Sequence, residues 1–293
     1  MKEQCIIPEI LRTANITSLH KKNSKLDLNN YRGIFVSSVI RTILMKIIHN
    51  RTYEEVTSSM TDSQIGACKK KSVRNHIFVL NSILSDVLSS VKKTPIDIQI
   101  MDFKQMFDSE EVFVSLNSLF EAGVKDDLLP LIYEANRINH IAVKTPGGLT
   151  ERKEIHNKIM QGDVLGPLVS SNMVDKNIGK VAIETDNVYM YKGKVQIPPL
   201  VTQDDTLSIS ECGYKTNKMN TFLNTHTKLM NLQFGSEKCS KMHVGKRINR
   251  DICPTLSVEA WENKLVTIDR EHTLKDTYIG NIFMHIVRKK ISW

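Results

Sequence analysis

Apolar residues recur at every second position through Ile96-Asp97-Ile98-Gln99-Ile100, and that alternation predicts a half-buried strand with Asp102 near its end. Asp108-Ser109-Glu110-Glu111 follows as an N-cap and acidic first turn. Val112, Leu116, Leu119 and Phe120 then keep helical spacing up to Gly123. Leu200 to Ile209 is apolar on both sides of Asp204-Asp205, the pattern of a hairpin with the acids at its tip. Two long stretches have the helical period: Val36 to Met60, with Val39, Ile40, Ile43, Leu44, Ile47 and Ile48, and Val73 to Val91, with Ile77, Leu80, Leu84, Val87 and Leu88. Both are expected to face a core and to leave their charges solvated. Further helices are predicted over Leu128 to Asn139, from about Pro167 onward, and over Thr216 to Leu232, with Met219, Phe222, Leu223 and Leu229 inward. Pro146-Gly147-Gly148 punctuates two strands, and Asn23 to Asn30 is the most loop-like stretch. Mixed helices and strands with acids at strand ends indicate an α+β fold.

Composition changes this picture little. The 293 residues are 41% hydrophobic, enough for one large or two modest cores. A net charge of +8 favours a polyanionic partner, because neutralised phosphates release their counterions. Five cysteines (Cys5, Cys68, Cys212, Cys239 and Cys253) form no Cys-x-x-Cys or Cys/His pattern of a zinc site. An odd number without a secretory signal suggests reduced thiols and an intracellular protein, nuclear or cytoplasmic. The apolar runs are too short to span a membrane, so no membrane partner is expected.

The acids carry more information. Asp-Asp alone is ordinary turn chemistry. Joined to a strand-end Asp102 about a hundred residues upstream, it becomes a candidate for phosphoryl transfer assisted by two metals. That reaction needs carboxylates from separate strands, converging so that the ions sit roughly 3.5–4 Å apart. Mg²⁺ suits such a site, because it takes few protein carboxylates and leaves positions for water and substrate phosphates.

Gln64-Ile65-Gly66, Asp102-Phe103-Lys104-Gln105-Met106-Phe107-Asp108, Gln161-Gly162-Asp163 and Asp204-Asp205, with flanking segments from about Ile16 to Gly280, stand in an order that resembles the fingers and palm of a reverse transcriptase of the non-LTR retrotransposon type. Ile16-Thr17-Ser18-Leu19-His20-Lys21-Lys22 and Asn29-Asn30-Tyr31-Arg32-Gly33-Ile34 resemble the fingers block with its lysine and its NYRPI run. Gln64-Ile65-Gly66 with Lys71-Ser72 resembles the next block. Asp102-Phe103-Lys104-Gln105-Met106-Phe107-Asp108 is similar to motif A, and Gln161-Gly162-Asp163-Val164-Leu165-Gly166-Pro167 to motif B. Asp204-Asp205 stands for motif C, Glu237-Lys238-Cys239-Ser240 for motif D and Tyr278-Ile279-Gly280 for motif E.

The resemblance implies a right-hand polymerase whose antiparallel palm sheet packs on helices, with residues 1–95 as fingers and 96–293 as palm. Only a short tail follows Gly280, where the family places its helical thumb, so the thumb is expected to be missing. The activity implied is RNA-directed DNA synthesis: dNTPs added to a primer 3′-hydroxyl on an RNA or DNA template, with two Mg²⁺ ions or Mn²⁺ in their stead. Asp102 and Asp204 would hold the metals with Asp205 as the weaker ligand, and Lys238 would stabilise the leaving group. Lys21, Lys22 and Arg32 would meet the triphosphate. Gln161 would bond near the sugar, and Gly162 would let backbone approach substrate closely. Tyr278 and Gly280 would belong to the primer grip. Phe107, five residues beyond Asp102, would exclude a 2′-hydroxyl and so select deoxynucleotides. Where the family has Ala and Ser, this chain has Met106 and Gly166, and Gln203 precedes the acids in place of a small residue. Those departures leave open a decayed retroelement fragment that at most binds nucleic acid. A second alternative is an RNA-dependent RNA polymerase or intron-type palm protein.

Overall fold

The computed structural model describes residues 6–21, 24–89, 94–104, 106–125, 127–211, 214–235, 239–244 and 265–268. The chain forms two compact units, each drawn from two stretches of sequence. One comprises Met1–Met60 and Gln105–Met173, the other Thr61–Lys104 and Val174–Trp293.

The first unit is built on a mixed sheet of strands β1 (Thr13–His20), β2 (Tyr31–Ser37), β4 (Ile138–Thr145), β5 (Gly148–Leu149) and β6 (Lys153–His156). β1 pairs antiparallel with β2 and parallel with β4, and β4 also carries β5 and β6. Thr145 pairs with Gly148, leaving Pro146 and Gly147 as the turn the sequence predicts. Helices α1 (Val39–Ser59), α3 (Met106–Ser109), α4 (Val112–Glu121), α5 (Leu129–Arg137) and α6 (Gly166–Val174) complete it. α1 begins where Ser38 accepts the N–H of Arg41 through its hydroxyl, the usual way to satisfy an orphan donor at a helix start.

Two expectations for this unit are corrected. The inward face of α1 is Arg41, Met45, Ile48, Thr52 and Val56, while Val39, Ile40, Ile43 and Ile47 are exposed. The helix is turned by the polar partners that Arg41 finds inside, a tertiary effect that hydrophobic spacing does not see. The cap of α4 is Glu111, not Asp108, and its side chain makes no capping hydrogen bond. Glu110 lies fully buried instead, bonded by the hydroxyls of Ser115 and Ser170.

The second unit contains a sheet in the order β12-β11-β3-β10-β9, from Leu265–Ile268, Ser240–Val244, Ile96–Met101, Asp205–Glu211 and Leu200–Thr202. All its pairings are antiparallel except β11 with β12. A small hairpin, β7 (Tyr189–Tyr191) with β8 (Val195–Ile197), joins helices α2 (Val73–Ser89), α7 (Val181–Glu184) and α8 (Tyr214–Leu229) and a π-helical stretch, Asp175–Lys180. Leu80, Ile83, Leu84 and Val87 of α2 pack with Ile96 and Ile98 of β3, Ile209 of β10 and Met242 of β11. On α8, Met219, Phe222 and Leu223 are buried as expected, but Leu229 is exposed.

β3 is the central strand, and it is buried on both faces rather than one. Asp97 and Gln99, polar positions of the alternating pattern, are wholly enclosed. Asp97 accepts hydrogen bonds from His243 (3.0 Å) and Thr216 (2.8 Å) and pairs with Lys241 (3.0 Å). Burial alone would raise its carboxyl pKa. The bond from His243, the charge of Lys241 and the bond from Thr216 together outweigh burial and hold the group well below the usual carboxylate range.

Candidate active site

β3 ends at Met101, which pairs with Thr206 of β10. Continued one step, that antiparallel register sets Asp102 across from Asp205. Directly opposed residues present their side chains to the same face, with Cα atoms about 4.5–5.5 Å apart. Asp204 occupies the turn between β9 and β10, next to Gln203. The central strand and its neighbour therefore place the strand-end acid and the acid pair at the same end of the sheet. Gln203 adopts φ +59°, which non-glycine residues seldom do. The hairpin tip is thus held in a conformation its sequence does not favour locally.

Asp102 is also fixed from the other side. Its carbonyl accepts the N–H of Gly235 (2.8 Å), and Lys104 N–H donates to Gln233 (2.8 Å). Phe103 and Phe234 bridge these two stretches with stacked rings 4.9 Å apart. The Asp102 side chain is nearly buried, and those of Asp204 and Asp205 are half-exposed.

Among the described residues, no three His, Cys, Asp or Glu side chains converge enough to hold a metal by themselves. What the sheet supplies is Asp102 just past the end of β3 and Asp205 at the start of the neighbouring β10, with a third acid in the adjoining turn. That donor set of hard oxygens fits Mg²⁺, whose remaining positions go to water and substrate phosphates. It does not fit a structural ion enclosed by protein ligands.

The remaining described candidates belong to the first unit. Gln161-Gly162 forms a tight turn against β2: the Gln161 carbonyl accepts the N–H of Phe35 (2.8 Å), and Gly162 has φ +105°. A Cβ on Gly162 would stand 2.9 Å from the Phe35 carbonyl oxygen, so the close backbone approach the glycine permits is to β2 itself. Arg32 is exposed on that strand, opposite Leu19 of β1, and Lys21 is exposed at the end of the same hairpin. Phe107 is half-buried in α3. A Cβ added at Gly166 would lie 3.7 Å from its ring, an ordinary contact, so a serine has room there. Lys22, Lys238, Tyr278 and Gly280 lie outside the described residues.

Two residues that sequence reasoning passed over organise the Gln161-Gly162 turn. Arg41, fully buried, pairs with Asp163 through Nε (3.2 Å) and Nη2 (2.9 Å). Its Nη1 donates to the carbonyls of Leu11 and Ala135 (each 2.9 Å) and to Asn139 (3.3 Å), and Phe35 lies under the guanidinium. The second oxygen of Asp163 accepts the N–H of Leu165 (3.0 Å). A buried pair is tolerable only when its remaining donors and acceptors are met, as they are here. The signal available in the sequence was an arginine placed inside an apolar helical run.

No protein-family model matches the chain, and no curated protein sequence matches it. Solved structures do. Apo telomerase from Candida tropicalis, truncated from its C-terminal domain, superposes with a TM-score of 0.59 at 10% identity, covering 84% of this chain and 52% of that one. Telomerase from the same organism in complex with a TWJ fragment of telomeric RNA gives 0.55 at 12%, covering 81% and 42%. The Candida albicans telomerase complex with such a fragment gives 0.51 at 12%, covering 83% and 43%. The chain thus spans about half the length, or less, of the telomerase chains it resembles. At such low identity the likeness speaks for the fold alone. The chain has a reverse-transcriptase-like α+β fold, of the polymerase fingers-and-palm kind.

Proposed function

We propose that the chain is the fingers and palm of an RNA-directed DNA polymerase of retrotransposon origin, non-LTR in type, that adds dNTPs to a primer 3′-hydroxyl. The observation that carries this is the register of β3 with β10, which ends at Met101 opposite Thr206 and so leaves Asp102 and Asp205 as the next positions on neighbouring strands, with Asp204 in the turn between β9 and β10. Asp102, Asp204 and Asp205 would hold two Mg²⁺ ions, or Mn²⁺ in their place, together with substrate phosphates. When bound, such ions would supply a lowered pKa for an attacking hydroxyl and charge neutralisation on a triphosphate. The protein's own contribution is placement: carboxylates on a rigid central strand and a pinned hairpin reorganise little during reaction.

Arg32 and Lys21 would bind the triphosphate, Arg32 through a bidentate fork and Lys21 as a point charge. Gln161 would bond to the nucleotide, and Phe107 would exclude a 2′-hydroxyl. RNA or DNA template with primer is the polymer partner, in keeping with the chain's net charge of +8. Telomerase structures in complex with a fragment of telomeric RNA support a nucleic-acid partner by likeness of fold.

Primer extension on RNA and DNA templates, with dNTPs or rNTPs and with Mg²⁺ or Mn²⁺, tests this. Extension with dNTPs that disappears in Asp102→Asn and Asp204→Asn is the expected result. Primer-template binding without extension under every condition would transfer the chain to a decayed, nucleic-acid-binding fragment. A preference for rNTPs would point to an RNA polymerase instead.

A further inference from the structure

We propose that Gln64 and Gly66 are positioning residues that set where the Asp204-Asp205 carboxylates stand. The inference rests on the polymerase reading of that hairpin for its catalytic consequence, and on geometry alone for the clamp. Gln64 is fully buried, and its side-chain Oε1 accepts two backbone N–H groups, from Gly66 at 2.7 Å and from Gln203 at 3.1 Å. Gln203 is the residue at φ +59°, immediately before the acids. Its N–H must find an acceptor if it is not to be stranded at the hairpin tip. The Gln64 amide supplies it.

Gly66 makes that approach possible. A Cβ there would fall 2.4 Å from the Gln203 nitrogen, 2.6 Å from Gln203 Cγ and 2.8 Å from Gln64 Oε1. Two of those three atoms belong to the residue the clamp holds, so any side chain at this position must displace the hairpin.

The clamp is itself anchored. Ile65 N–H donates to the Val201 carbonyl (3.1 Å) and Val201 N–H to the Ser63 carbonyl (2.8 Å), so Gln64 lies as a short parallel bridge along β9. Asp175 accepts both the N–H (2.9 Å) and the hydroxyl (2.5 Å) of Thr61, two residues before Ser63. Gly179 in the π-helical stretch leaves space for that carboxylate: a Cβ would stand 2.6 Å from Asp175 Oδ1. Lys71 Nζ donates to the carbonyls of Thr61 (3.2 Å) and Gln64 (3.4 Å). The segment is tied at both ends, and the buried Gln64 Oε1 serves Gly66 and the hairpin tip together.

Rotation about Gln203 would swing both following carboxylates, and a displacement of about 1 Å at reacting groups can cost roughly a hundredfold in rate. Loss of the clamp should therefore act on turnover rather than on substrate binding. A neutral amide is suited to this place, since it fixes a backbone N–H without adding charge beside two acids.

The experiment compares wild type with Gln64→Leu, Gly66→Ala and Gln64→Glu, the last keeping an acceptor oxygen. Hydrogen exchange at the Gln203 amide reads the clamp directly, and steady-state primer extension reads its consequence. Gln64→Leu and Gly66→Ala should lose protection at Gln203 and lower kcat by roughly 10–100-fold, with dNTP KM changed little. Gln64→Glu should retain protection. If Gln64→Leu does not fold, the contrast of Gly66→Ala with Gln64→Glu decides in the same way. Unchanged exchange in Gln64→Leu, or an effect confined to KM, overturns the inference. Should wild type extend no primer at all, the polymerase reading falls while the exchange arm still judges the clamp: protection that depends on the Gln64 acceptor upholds it, and protection indifferent to that acceptor rejects it.

Discussion

Two turns in this protein are each pinned by one buried polar side chain, and the two side chains differ in charge. In the first unit, the Gln161-Gly162 turn is held by an ion pair, Arg41 with Asp163. In the second, the Asp204-Asp205 hairpin is held by the uncharged amide of Gln64. Each turn contains a residue at positive φ, Gly162 in one and Gln203 in the other. The difference follows from what each turn carries. Asp163 is itself the acid being clamped, so a guanidinium both neutralises and orients it. A cation at the Asp204-Asp205 hairpin would instead compete with any ion or substrate that those acids attract. Charge makes the stronger clamp, and neutrality the one compatible with a working carboxylate.

Breaking the charged clamp should have the largest effect. Arg41→Ala leaves Asp163 buried without its counter-ion, and removal of one partner from such a pair costs about 3–5 kcal/mol. Urea denaturation measures it. Arg41→Met combined with Asp163→Leu should recover a good part of the loss, because no isolated charge remains. A double variant as unstable as the single one would mean that the Leu11, Ala135 and Asn139 bonds matter more than the ion pair.

Glu110 sharpens the same comparison, since it is a buried acid given hydroxyls rather than a guanidinium. Burial pushes its pKa up to about 7, against the opposing pull of the bonds from Ser115 and Ser170 and the charge of Lys158. The folded protein therefore holds the proton more tightly than the unfolded chain, whose carboxyl has the ordinary value of 4.5. Stability contributed by this group is full below about pH 4.5, falls as pH rises to about 7, and stays low above it. The span corresponds to about 3 kcal/mol. Urea midpoints measured from pH 4.5 to 7.5 should show wild type losing stability relative to Glu110→Gln. Parallel curves would mean that the carboxylate is already ionised in the fold.

Breaking the neutral clamp should cost less, about 1–3 kcal/mol in Gln64→Leu, the usual penalty for a buried donor left without its acceptor. A loss as large as that of Arg41→Ala would remove the distinction drawn between the two clamps. Smallest in stability is Phe107→Val, where the ring is only half-buried. Its expected effect is on selectivity: the ratio of rNTP to dNTP incorporation should rise by roughly tenfold or more. A folded, active variant with an unchanged ratio would reduce Phe107 to a packing residue.

Local pattern was enough for much of the scaffold. The Ile96-to-Asp102 alternation found β3, the helical spacing of Leu80, Leu84 and Val87 found α2 with its correct inward face, and Pro146-Gly147 found its turn. The positions of the three acids followed from the flanking apolar runs: Asp102 just past the end of β3, Asp204 in the turn and Asp205 at the start of β10. These features depend on neighbours within a few residues, where periodicity and turn chemistry are decided.

What the sequence left undetermined was every case in which a polar side chain is buried by partners distant in the chain. Arg41 rotates α1 because Leu11, Ala135, Asn139 and Asp163 wait for it, and Ile40 and Ile43 go outward as a result. Asp97 occupies a polar position of an alternating strand, yet lies inside because Thr216, Lys241 and His243 satisfy it. Gln64 is a common residue in a short motif until β9 brings the N–H of Gln203 to its amide. Hydrophobic spacing is written into the chain one turn or one pleat at a time. A buried charge or amide can be assigned only when the whole of its coordination is known, and only the tertiary structure assembles that.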